Sequence, residues 1–180
     1  SFPEINHDLR FLVAHYPAAY EIDRTPGTNA IRQPLDNLNE AGSLYGAIIY
    51  QKAPIVMRQL EGILGETALR NGLQQYLRAH RFANATWSDL IALLDERTAE
   101  DLAAWSRSWV EEAGRPIVST ELRVDNGRIT SLSFVQRDPF ERRGLTWNQR
   151  LEVTLGLPDG LRTLPVRIAA TRVEVPDARG

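Results

Sequence analysis

Apolar residues recur at two different spacings along this chain, and the change falls near Pro116. Upstream the spacing is helical. From Asp8 to about Ala19, Leu9, Leu12, Val13 and Tyr16 follow the i, i+3, i+4, i+7 template of one helix face. Arg24 to Pro34 is rich in turn residues, yet apolar Ile31 and Leu35 punctuate it, so it reads as an ordered loop. Pro54 has no amide hydrogen and pushes Ala53 away from helical geometry. A helix running through it would cost about 3 kcal/mol, whereas proline is tolerated in a first turn. The next helix is therefore predicted to start at Pro54, with Val56, Leu60, Ile63 and Leu64 on its face and Gly65 closing it. Tyr50 then lies on the segment leading into that helix.

Three more helices follow. Thr67 is a candidate cap for a stripe of Leu69, Leu73, Tyr76 and Leu77. Thr86 with Asp89 has the capping-box pattern, ahead of Trp87, Leu90, Ile91 and Leu94. Thr98 with Asp101 repeats it ahead of Leu102, Trp105 and Trp109, and Gly114 and Pro116 stop the run. The three tryptophans fall on helical stripes and are expected in the core.

Beyond Ile117 the period becomes that of strands. Leu122 and Val124 alternate with polar neighbours up to Asn126-Gly127, a strong hairpin signal. Ile129, Leu132 and Phe134 return with a phase slip that predicts a bulge. Leu151, Val153 and Leu155 alternate, Pro158-Asp159-Gly160 turns, and Leu164, Val166 and Ile168 alternate again. A short last strand is expected over 171–175. The fold class is thus α+β. Residues 1–116 form a helical bundle, and 117–180 an antiparallel sheet or partial β-sandwich.

Composition narrows the function. The 180 residues suit one ordinary domain or two small pieces of a larger protein. A formal net charge of −2, with both signs interspersed, argues against nucleic acid as a partner. No apolar run approaches bilayer-spanning length. The absence of cysteine excludes disulfides, thiolate metal sites and a cysteine nucleophile. The opening Ser-Phe-Pro, without an initiator methionine or signal pattern, is expected of an excised segment. Nothing in the chain points to a compartment.

Candidate chemistry is sparse. His7, His15 and His80 lack H-E-x-x-H spacing, and no metal ligand is assigned. There is no G-x-S-x-G elbow and no glycine-rich phosphate loop. "LDERTAED" and "VEEAG" read as helix ends and solvated faces. "RQPLDNLNEAGS" has amides and acids able either to bond a substrate or to fix their own loop. Taken by itself, Tyr50 is an amphipathic residue whose hydroxyl satisfies a neighbouring backbone group. The residues alone assemble no complete catalytic constellation.

"LYGAIIYQKAPIVMRQLEGILGE" resembles the stretch just after the zinc site of the aminopeptidase N-type zinc metallopeptidases, in which an aromatic precedes a Tyr-x-Lys-Gly motif that opens a helix. Tyr45, Tyr50, Lys52, Met57, Arg58, Leu60 and Gly65 fall in register. "FANATWSDLIALLDERTAEDLAAWSRSWVEEAGRPIV" resembles the segment that follows in that family. Together they span about residues 31–118. Two departures stand out: Ala53 replaces the family's glycine, and Pro54 follows it.

The resemblance implies a piece of a zinc-dependent aminopeptidase acting on peptide substrates. The zinc ligands and general base of that family lie upstream of this motif and are absent here, so no metal is expected in this stretch by itself. It also implies that Tyr50 is catalytic. A phenol ionises near ~10, so at neutral pH it can donate a hydrogen bond to the oxyanion formed when water attacks the scissile carbonyl. One such donor is worth ~2.7–4 kcal/mol in the transition state. Tyr45 matches an aromatic position near the same site and is assigned to substrate binding. Lys52 belongs to the motif, but is equally a plain helix-start charge. Helical faces that normally pack on missing elements are expected to promote self-association. The alternative is a non-catalytic helical and β module of a degenerate peptidase relative, used for partner binding.

Overall fold

The computed structural model describes residues 4–35, 37, 39, 41–140 and 143–180. The chain divides into two compact units, Ser1–Gly114 and Arg115–Gly180. The first is helical and the second is built of antiparallel strands, an α+β fold.

In the helical unit, α1 spans His7–Asp23, capped by the Asn6 side chain, which accepts from the Leu9 amide at 2.9 Å. It runs past the expected end at Ala19 and through Pro17. Pro17 and Val13 are both exposed, so the Val13 carbonyl deprived of its N–H partner can be hydrated. The predicted apolar face is largely uncovered: Leu9, Leu12 and Val13 are 55%, 50% and 66% exposed. Burial falls instead on Ala19 and Asp23.

A short α2, Ala41–Leu44, leads to a π-helical turn over Ile48–Lys52, which continues without a break into α3, Ala53–Leu64. This corrects the expected start at Pro54, because Ala53 is itself helical at φ −58° and ψ −43°. Its amide bonds to the Ile48 carbonyl five residues back. The wider turn relieves the clash that Pro54 would impose on a regular α-helix, and proline's missing amide falls at the seam.

Ile55, Val56, Leu60 and Ile63 bury the inner face of α3. Gly65, at φ +82°, both ends α3 and opens α4, Glu66–Ala79. Thr67 is therefore inside the first turn and is not the cap. Leu69 and Gly72 are the buried residues of α4, while Leu77 is exposed. Thr86 and Asp89 form the full capping box of α5, Trp87–Asp95. Asp101 caps α6, Leu102–Ser106, by accepting from Ala104, whereas Thr98 bonds the Glu100 amide. A second π-turn, Arg107–Glu111, ends the unit. Trp105 and Trp109 are buried; Trp87 is half-buried and donates to Ser106 Oγ at 2.8 Å.

In the second unit, β1 (Ile117–Asp125) and β2 (Arg128–Arg137) pair across Asn126-Gly127, both at positive φ. The register slips opposite Arg123/Val124, leaving Thr130 unpaired, which is the bulge on the returning strand. β5 (Arg172–Glu174) joins the other edge of β2, while β3 (Gln149–Leu157) and β4 (Gly160–Ile168) form a separate two-stranded sheet. Leu132 and Phe134 from one sheet meet Val166 and Ile168 from the other in a shared core. Two sheets that share inner faces make a partial sandwich. The loop between β2 and β3 is tied by Asp138 and Gln136, and it delivers the fully buried Trp147.

Candidate functional site

The π-turn presents Tyr50. Its amide is held in the helix by the Gly46 carbonyl at 3.0 Å, and its side chain is 56% exposed. The ring lies 5.9 Å from that of Tyr45, tilted by 45°. Tyr45 follows α2 and is 66% exposed. The structure thus brings the two predicted site residues together, as an aromatic pair open to solvent. Among the described residues no hydrogen bond is made by the Tyr50 hydroxyl.

The neighbours of Tyr50 are anchored in the opposite sense. Lys52 is 3% exposed. Its Nζ donates to Asp23 Oδ1 at 2.9 Å and to the Gly114 carbonyl at 2.8 Å. Asp23 Oδ1 also accepts from Thr28 Oγ1 at 3.0 Å. The plain helix-start charge admitted from the sequence is therefore a buried ion pair joining the π-turn to the end of α1 and to Gly114. Gln51 accepts from His15 Nδ1 at 2.7 Å, a second tie to α1. A turn later Arg58 pairs with Asp8 and sits over the Phe11 ring, 4.9 Å from its centroid. The sequence signal for these ties is weak, because Asp23 and Lys52 are 29 positions apart and follow no shared period.

The amide-rich loop suggested as a substrate contact falls partly outside the described residues, at Asp36, Leu38 and Glu40. Within it Asn37 Oδ1 accepts from the Asn39 amide at 3.0 Å, which is a loop-fixing bond. Among the described residues no group of three His, Asp or Glu side chains could hold a metal ion. No described helix is long and apolar enough to cross a membrane.

With this geometry in view, comparison with known proteins is decisive. The model of the Peptidase family M1 domain matches residues 1–109. The chain belongs to peptidase family M1, the aminopeptidase N-type metallopeptidases. Aminopeptidase N of Streptomyces lividans is 35% identical over 122 residues, which is 67% of this chain and 14% of that protein. Aminopeptidase N of Lactococcus lactis subsp. lactis is 30% identical over 163 residues, 89% of this chain and 18% of that protein. The fold matches the crystal structure of Legionella pneumophila aminopeptidase A in complex with aspartic acid at a TM-score of 0.62 and 19% identity. That match covers 84% of this chain and 17% of the other. This M1 chain therefore spans less than a fifth of these proteins. The segment matched as M1 domain includes α1, both tyrosines, the π-turn and most of the second π-turn.

Proposed function

We propose that this chain is part of a zinc-dependent aminopeptidase that removes N-terminal residues from peptides, and that Tyr50 is its oxyanion donor. On this reading residues 1–116 are the helical part of the catalytic domain and 117–180 belong to the β-sandwich-like domain after it. The supporting observation is the presentation of Tyr50: a phenol on a helical turn locked from beneath by Lys52, with its hydroxyl unused by the described residues. A donor that must meet charge developing on a scissile carbonyl gains from being held before substrate arrives. Tyr45, packed beside it, forms an aromatic wall for the bound peptide. These roles rest on the chain's own side chains.

Tyr50→Phe in the intact aminopeptidase tests this. Loss of one oxyanion donor is expected to lower kcat by about 10²–10³, with little change in KM. Unchanged kcat would remove Tyr50 from the chemistry.

A further inference from the structure

We propose that the buried Lys52–Asp23 pair is a positioning device for Tyr50, acting through the π-turn that Tyr50 and Lys52 share. The inference rests on the reading of Tyr50 as the oxyanion donor and extends it to how the donor is aimed.

Helical side chains rotate by about 100° per residue, somewhat less in a π-turn, so two positions place them on roughly opposite sides of the coil. Lys52 points inward and is 3% exposed; Tyr50 points outward and is 56% exposed. Fixing the inward side chain fixes the rotation of the turn, and hence the direction of the outward one. Lys52 Nζ is held at two points from different parts of the unit, Asp23 Oδ1 at the end of α1 and the carbonyl of Gly114. Thr28 Oγ1 holds Asp23 in turn.

The chemistry argues for geometry over stability. A buried ion pair often stabilises a fold no more than well-packed apolar residues of the same volume. This one is also incompletely satisfied, because Asp23 Oδ2 is buried without a hydrogen-bond partner among the described residues. Fixed bond directions distinguish such a pair from a greasy contact of equal strength. Its lysine ends the π-turn that carries Tyr50, directly ahead of α3 and Pro54.

A double-mutant cycle in the intact aminopeptidase tests the proposal. Lys52→Met is expected to lower kcat about 10²-fold with KM little changed, the loss that a displacement of about 1 Å causes. In a Tyr50→Phe background the same change should cost nothing further. Lys52→Met with Asp23→Leu, which removes both charges, should restore the melting temperature without restoring kcat. Should Lys52→Met not fold, Thr28→Val loosens the same network. It should cost about three- to tenfold in kcat, again only when Tyr50 is present.

Equal losses in both backgrounds, or recovery of kcat together with stability, overturn the proposal. If Tyr50→Phe itself leaves kcat intact, the donor reading has failed and takes this inference with it. A crippled Tyr50→Phe beside an unaffected Lys52→Met or Thr28→Val refutes the positioning role alone.

Discussion

Asp138→Asn should loosen the loop that seats Trp147, and the size of the effect follows from four bonds. Asp138 Oδ1 accepts from the Phe140 amide at 2.9 Å and from Arg143 Nη2 at 2.9 Å. Oδ2 accepts from Arg143 Nε at 3.2 Å and the Leu145 amide at 3.2 Å. An asparagine has one acceptor oxygen, so either orientation of its amide turns an NH2 against two donors. Hydrogen bonds to a charged group contribute about 1.5–3 kcal/mol, and a buried donor left unmatched costs about 1–3 kcal/mol. A local loss of about 3 kcal/mol is expected, or about 10²-fold in an opening equilibrium.

Acid should do the same. Burial alone would push the Asp138 carboxyl up, but the Arg143 hydrogen bond, the amides of Phe140 and Leu145 and the Arg143 charge outweigh it. The group lies below its ordinary range. The unfolded carboxyl titrates near ~3.9, so the contribution is fully present above that pH. As pH falls the unfolded chain takes up its proton first, and the contribution is lost through the lower, folded value. Hydrogen exchange at the Trp147 amide, which donates to Gln136 Oε1 at 2.9 Å, reads this opening. Corrected for intrinsic rates, protection should fall about 10²-fold in Asp138→Asn at neutral pH, and the variant and parent should converge below ~pH 4. Equal protection at neutral pH, or a gap that widens in acid, would refute the argument.

Gly72→Ala drives a Cβ into Leu94 Cδ2, and Leu94 is fully buried. The overpacking costs more than the gain in helix propensity, so a net destabilisation of about 1 kcal/mol is expected in urea unfolding. Thr86→Ala removes the hydroxyl that donates to Asp89 Oδ2 at 2.7 Å. The pKa of Asp89 is lowered first by that bond and then by the Thr86 amide, so NMR titration should show it rising towards the ordinary value.

What the sequence conveyed depended on the range of the interaction. The α5 capping box and the Asn126-Gly127 hairpin are local, and a few residues contain all the chemistry that makes them. The bulge at Thr130 left its mark as a slip in alternation. The π-turn left none, since one extra residue per turn keeps residues apolar where a first helical turn would also want them. The proline rule misjudged Ala53 for the same reason: it assumes an α-helix upstream. Periodicity marked Leu9, Leu12 and Val13 as a face but could not say what covers it. Thr67 lost the cap of α4 to Gly65, whose positive φ already ends the preceding helix. The candidates Tyr50 and Tyr45 were suggested only by the family motif, while the Lys52–Asp23–Thr28 network, made across the fold, left no signal in the sequence.

The most direct test of the donor role measures binding to a mimic of the charged intermediate. A phosphinic peptide carries a tetrahedral centre with an oxyanion, and a substrate-like competitive inhibitor with a planar carbonyl does not. In Tyr50→Phe the phosphinic peptide should bind about 10²–10³-fold more weakly, in step with the fall in kcat/KM, while the planar inhibitor keeps its affinity. Equal changes for both inhibitors, or no change for the phosphinic peptide, would contradict the assignment of Tyr50 to the oxyanion.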